Sequence, residues 1–331
     1  MSTAEKHIRA TRLSIAPMMD WTDRHCRYFH RLLSKNALLY TEMVTSAALV
    51  RGGAVHLLGY SAEEHPLALQ LGGSDPKELA QAAKLAEQAN YCEVNLNVGC
   101  PSDRVQSGAF GAILMKTPEL VAECCAAMLA AVNIEVTVKC RIGVDNQVPT
   151  DVLPDFLEKV SASGVSRFII HARKAWLDGL SPKENRDIPP LDYELIHAMK
   201  AAFPELHLSL NGGIGSLTEA KAALDTGLDG VMIGRAAYQR PYDILAGIDE
   251  EIFGEDGRIC SKEVVRQMVP YIERHIEGGG KLNQVTRHML GLFAGQDGAR
   301  NWRRLLSERG HVSGVELVLE ALSQVDSSTV D

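Results

Sequence analysis

Cys100 stands between Gly99 and Pro101, so its thiol is set on a turn rather than inside a regular element. A thiol placed there serves as a nucleophile or as a general acid. Cys92, Cys124, Cys125 and Cys140 lie within strand or helix patterns instead, where a thiol behaves as a small buried hydrophobe. Lys139 and Arg141 are two apart, which on a strand sends both side chains to one face. Lys139 there either stabilises an anionic ring or forms a Schiff base. The Gln70 amide donates and accepts at once, which suits the edge of a heterocycle. His171, in His-Ala-Arg, adds a titratable ring. Asn211-Gly212-Gly213 and Gly234-Arg235 combine backbone that approaches an anion closely with a guanidinium that binds one through paired hydrogen bonds. Asp20 and Asp23 in Asp-Trp-Thr-Asp resemble paired carboxylates, but Asp23 is placed to cap a helix.

These residues need a scaffold that gathers them. Eight short β-rich runs recur along the chain: 13–19, 37–43, 67–72, 91–97, 136–143, 167–173, 207–213 and 230–235. Helix-forming stretches separate them, including 75–89, 117–132 and 216–227, of which the first and third open with a capping Asp or Ser. The strand runs read as continuous rather than alternating, as parallel strands covered on both faces do. Eight such units in about 240 residues predict a (β/α)8 barrel, a TIM barrel, whose active site lies at the C-terminal ends of the strands. Gln70, Cys100, Lys139, Arg141, His171, Asn211-Gly212-Gly213 and Gly234-Arg235 fall at such ends, and Pro17-Met18-Met19 ends the first strand. After Arg235 the strand pattern stops. Residues from about 260 to 325 have helical period, broken at 278–280 and Gly310. The expected division is a barrel over 1–245 and a small all-helical domain over 246–331.

Composition sets bounds on function. The 331 residues are 46% apolar and 23% charged, as in an ordered globular enzyme. No apolar run approaches a membrane span, and the N-terminus lacks the apolar core of a secretory signal. Seven cysteines without a Cys-x-x-Cys pair or a His cluster at zinc spacing predict no structural metal and a reducing, cytoplasmic setting. No Gly-x-Gly-x-x-Gly is present, which disfavours a Rossmann dinucleotide site. The net charge of −8 conceals an uneven distribution. Residues 1–35 and 266–310 each carry +4, residues 36–265 carry −12, and the last 21 carry four acids. Two basic segments at opposite ends of the chain form one patch if the fold joins them.

The segments APMMDWTD (16–23), NLNVGCPS (95–102), VKCRIG (138–143), IIHAR (169–173), LNGGIG (210–215) and MIGRAA (232–237) together resemble the flavin-dependent tRNA-dihydrouridine synthases. Residues 174–193 and 296–304 are similar to the branch acting at positions 20 and 20a of the tRNA D-loop. The resemblance implies a bound FMN across the barrel mouth and NADPH as transient hydride donor. The expected partner is tRNA, with no membrane and no metal, and the expected state is a monomer. The resemblance assigns Pro17, Met18, Met19, Gln70, Lys139 and His171 to the isoalloxazine ring. Asn211, Gly212, Gly213, Gly234 and Arg235 go to the ribityl phosphate. Lys139 then stabilises reduced flavin rather than forming a Schiff base, and Cys100 delivers a proton to C5 of uracil. Asn97 and Arg141 orient the uracil. Lys183, Arg186, Arg300 and Arg303 are the expected tRNA contacts, while Trp302 between the last two is expected to pack. The rival readings are a flavin barrel reducing a free pyrimidine, in the manner of dihydroorotate dehydrogenases, a non-catalytic tRNA-binding protein, and a Schiff-base aldolase.

Overall fold

The eight β-rich runs form β1 (Leu13–Ile15), β2 (Leu38–Thr45), β3 (Leu67–Gly72), β4 (Glu93–Val98), β5 (Glu135–Arg141), β6 (Arg167–His171), β7 (His207–Asn211) and β8 (Gly230–Ile233) in a computed structural model. The structure describes residues 3–102, 108–311 and 314–325. All eight strands are parallel, and β8 pairs with β1 to close the barrel in chain order. The fold is therefore the expected (β/α)8 barrel. Asp75 and Ser216 cap the helices Pro76–Gln88 and Leu217–Asp225 by accepting from the backbone N–H of Glu78 and Glu219. Asp23 likewise caps the helix Arg24–Leu33, accepting from the N–H groups of His25 and Cys26.

The strands on the site's side differ from the continuous apolar runs expected. β4 and β5 alternate: Val94, Leu96, Val98, Val136, Val138 and Cys140 join the core beneath the helices. Their odd-numbered partners Glu93, Asn95, Asn97, Thr137, Lys139 and Arg141 share the opposite, interior face. The apolar part of that interior is a separate small cluster that includes Leu38, Tyr40, Ala68, Ile169 and Met232. Half the barrel lumen is thus polar, and the polarity has to be satisfied internally.

Beyond β8 the described chain is helical, notably Ser261–Glu277, Leu282–Thr286, Ala299–Arg309 and Glu316–Ser323. Val264, Met268, Val285, Phe293, Leu306 and Leu317 extend the main core through these helices. Trp302 packs as expected: it is fully buried, meets Phe293 edge-on and donates its indole N–H to Met289 O at 3.0 Å. Residues just past 245 are tied to the barrel end opposite the site. Asp249 accepts from Ser34 Oγ and the Lys35 N–H at 2.7 Å each, and Arg9 pairs with Glu255. Residues 312–313 and 326–331 of the expected helical domain lie outside the described residues.

Candidate active site

Strand register brings the predicted residues to one rim. Asn97 lies opposite Lys139, Arg141 opposite His171, and His171 opposite Asn211. Gln70 lies opposite Asn95 one level deeper. Cys100 follows β4 by two residues. Asn97 holds that turn: its Oδ1 accepts from the N–H groups of both Gly99 and Cys100 at 3.0 Å. Ala112 N–H donates to Cys100 O from the other side. The Cys100 thiol is partly exposed and stands 3.5 Å from Ser102 Oγ.

Cations converge on the same rim. The Lys139 ammonium makes no hydrogen bond or ion pair among the described residues. Burial, and then the neighbouring Arg141, push it down to about 8. Burial also lowers Arg141 to about 10. His171 is held well below its ordinary value by burial, then by Arg141, Lys139, Arg173 and Arg186, so its ring is neutral at pH 7. Its Nδ1 is buried without a partner among the described residues, and so is Arg173 Nε. Burial and the adjacent Arg235 lower Arg186 as well. Five cationic side chains, Lys139, Arg141, Arg173, Arg186 and Arg235, thus gather around one opening together with orphaned ring and guanidinium nitrogens, the charge and donors that a large anionic ligand requires.

The glycines shape its floor. Gly212 and Gly213 have φ of +104° and +79°, a region that favours glycine. A Cβ on Gly212 would come within 3.2 Å of the His171 ring, and one on Gly213 within 2.4 Å of the Tyr193 hydroxyl. That hydroxyl donates to Gly212 O at 2.7 Å and fixes the turn. A Cβ on Gly234 would meet nothing closer than Ala16 Cβ at 3.7 Å and Met18 Sδ at 3.9 Å, which places Pro17-Met18 beside the β8 end. Met19 is half exposed, while Pro17 and Met18 are partly covered.

Some predicted side chains already have occupations. Asn211 Nδ2 donates to Met232 O at 2.8 Å, bracing β7 to β8. Arg235 pairs with Asp187 at 2.7 Å. Arg141 donates from Nε to Gly99 O and from Nη1 to the carbonyls of Lys174 and Asn185, tying the Cys100 turn to the long insert after β6. Lys183 and Arg186 are exposed on that insert, around the short helix Glu184–Asp187. Arg300 and Arg303 are exposed together on the separate helix Ala299–Arg309. Sequence reasoning placed Arg173 at the end of the sixth strand, two residues from His171, but gave it no role. It also missed the contact that seats the C-terminal helices. Asp23 pairs with Arg287 at 2.5 Å and His288 at 3.0 Å, while Trp21 stacks on Tyr238 and Tyr28 on Tyr271.

The chain is similar in sequence and in fold to known proteins. Residues 14–326 match the family profile described as dihydrouridine synthase (Dus). A tRNA-dihydrouridine(20/20a) synthase of Escherichia coli (strain K12) is 61% identical over 312 residues, covering 93% of this chain and 90% of that protein. The protein of that name from Shewanella oneidensis is 58% identical over 320 residues, covering 96% and 95%. The one from Vibrio cholerae is 57% identical over 318 residues, covering 95% and 96%. Among solved structures, the old yellow enzyme homologue from Zymomonas mobilis has the same fold, with a TM-score of 0.53 at 13% identity over 76% of this chain and 90% of that one. No helix among the described residues is long and apolar enough to cross a membrane. With a family match running from the first barrel strand into the last helix, the chain belongs to the dihydrouridine synthase family.

Proposed function

We propose that this chain reduces the C5=C6 bond of uracil at positions 20 and 20a in the D-loop of tRNA, using FMN bound at the barrel mouth and NADPH as the source of reducing equivalents. The observation that carries the reading is the Cys100 thiol poised on the same rim as Lys139, Arg141 and neutral His171. The residues present fit a flavin. His171 Nδ1 and the Lys139 ammonium lack partners among the described residues, Gln70 retains a spare donor and acceptor, and the Gly212-Gly213 turn, at positive φ, presents backbone without a side chain. Pro17, Met18, Met19, Gln70, Lys139 and His171 would surround the ring. Gly212, Gly213, Gly234 and Arg235 would take the phosphate, with Arg235 exchanging Asp187 for it, and Asn211 would hold the turn from behind.

FMN held at this rim would supply the hydride that C6 of the uracil takes up. Cys100 gives its S–H proton to C5, so one C=C π bond is replaced by two C–H bonds, and the thiolate recovers its proton from water. The thiol has to be protonated at that moment. Lys139 offers positive charge to an anionic ring, which draws the ammonium back toward its charged form. Asn97 and Arg141 face the uracil while holding the Cys100 turn. Lys183, Arg186, Arg300 and Arg303 bind tRNA phosphates, and the uridine leaves its stack to reach the rim. The helices past residue 245 form the tRNA-binding part of a cytoplasmic monomer, a setting supported by seven free thiols.

The test uses purified protein, NADPH and unmodified tRNA transcript. Dihydrouridine is expected at positions 20 and 20a. Cys100→Ala is expected to retain flavin absorption and NADPH oxidation while product formation falls roughly 100-fold or more. Unimpaired product formation by that variant, or faster reduction of a free pyrimidine than of tRNA, overturns the reading.

A further inference from the structure

A continuous line of buried hydrogen bonds runs up the barrel interior from the end opposite the rim to the Cys100 turn. At its base Glu93 sits between donors. Arg167 pairs with its Oε2, and the Tyr40 and Thr137 hydroxyls donate to its Oε1 at 2.6 and 2.5 Å. Arg167 also bridges to Glu135, which His7 meets at 2.8 Å, so the acidic base of the lumen is filled by a guanidinium and an imidazole. Above it, Thr137 Oγ1 accepts from Asn95 Nδ2, Asn95 Oδ1 accepts from Gln70 Nε2, and Gln70 Oε1 accepts from Asn97 Nδ2, each at 2.8 Å. Asn97 Oδ1 then accepts from the N–H groups of Gly99 and Cys100. Glu93, Asn95 and Thr137 are wholly buried, and Gln70 and Asn97 nearly so.

The chain has only one direction. A carboxylate paired with Arg167 accepts and does not donate, so the Thr137 hydroxyl has to spend its single proton on Glu93. Its oxygen must then accept from Asn95, which fixes the amide orientations of Asn95, Gln70 and Asn97 in turn. Reversing one amide alone sets donor against donor and acceptor against acceptor at its two contacts, and reversing all three together sets the Asn97 NH2 against two backbone donors at the Cys100 turn. We infer that Thr137 and Glu93, remote from the rim, are positioning residues that dictate which way the Gln70 and Asn97 amides face and thereby hold the Cys100 turn. The inference rests on the reading above only in taking Cys100 as the reacting thiol, and its test does not depend on that role.

Thr137→Val keeps the side-chain shape and removes the hydroxyl, whereas Thr137→Ser keeps the hydroxyl. Each protein, as purified, is treated with iodoacetamide, and alkylation of Cys100 is followed by peptide mass spectrometry, with exposed Cys260 as internal control. Removing one partner from a buried, directional chain is expected to change the Cys100 rate roughly tenfold in Thr137→Val, with Cys260 unaltered and Thr137→Ser at the wild-type rate. In parallel, kcat for dihydrouridine formation should fall while KM for tRNA holds. If Thr137→Val is insoluble, Thr137→Ala replaces it. Equal Cys100 rates in all three proteins, equal changes in both variants, or a matching change at Cys260 each overturn the inference. A loss of tRNA reduction in wild type with the alkylation pattern intact would instead count against the proposed function alone.

Discussion

The Lys139 ammonium, pushed to about 8 by burial and Arg141, makes a prediction at the scale of one residue. Its ordinary value is 10.5, so between pH 8 and 10.5 the unfolded chain binds more protons at this position than the folded one. Stability of the flavin-free protein should therefore gain from this group as pH rises through that window. Thermal midpoints at pH 7.5 and 9.5 check it: the difference between wild type and Lys139→Met should shrink at the higher pH. A difference that widens contradicts the placement of Lys139. Single residues were also where sequence reasoning reached furthest and stopped most sharply. Cys100 was legible because Gly99 and Pro101 dictate a turn, and Lys139, Arg141 and His171 because strand ends in a barrel converge. Thr137 and Glu93 were not legible, because their importance lies in the direction of a hydrogen-bond chain that links three strands. No local pattern records which partner an amide faces.

At the scale of elements, the helix Arg24–Leu33 joins the barrel to the C-terminal helices. Burial by itself would raise the Asp23 carboxyl, but the hydrogen bond and charge of His288, the Cys26 N–H and Arg287 outweigh it and hold the group well below the carboxylate range. Asp23→Asn retains an oxygen that can cap the helix and loses the ion pairs. It should destabilise the protein by about 1–3 kcal/mol in chemical denaturation, and weaken tRNA binding without altering the flavin spectrum. Unchanged stability would remove Asp23 as the fastening between the two parts. Strands, caps and their order could be read from periodicity and from Asp or Ser at helix starts. The polar lumen could not, since the alternation in Glu-Val-Asn-Leu-Asn-Val ordinarily turns the polar residues to solvent, and only closure of the barrel buries them. The junction was equally hidden: Asp23 and Arg287 are 264 positions apart, and Asp23 had already been assigned a sufficient role as a cap.

For the whole molecule, the net charge of −8 is an average over an acidic middle and basic ends. The rim collects Lys139, Arg141, Arg173, Arg186 and Arg235, and the helix Ala299–Arg309 exposes Arg300 and Arg303. Arg300→Ala combined with Arg303→Ala should weaken tRNA binding uniformly and reduce the slope of log K against log salt by roughly one to two units, with flavin content unchanged. An unaltered slope would exclude that face from the tRNA contact. The charge distribution along the chain pointed to two basic segments, but their place relative to the rim needed the folded structure. The central claim, that the rim thiol serves the reduction of D-loop uracil, is tested most directly in cells. Position-resolved measurement of dihydrouridine in tRNA from cells lacking this protein should show its loss at positions 20 and 20a, restored by the wild-type chain and not by Cys100→Ala. Persistence of dihydrouridine at both positions in the deletion strain, or full restoration by the alanine variant, would contradict the account.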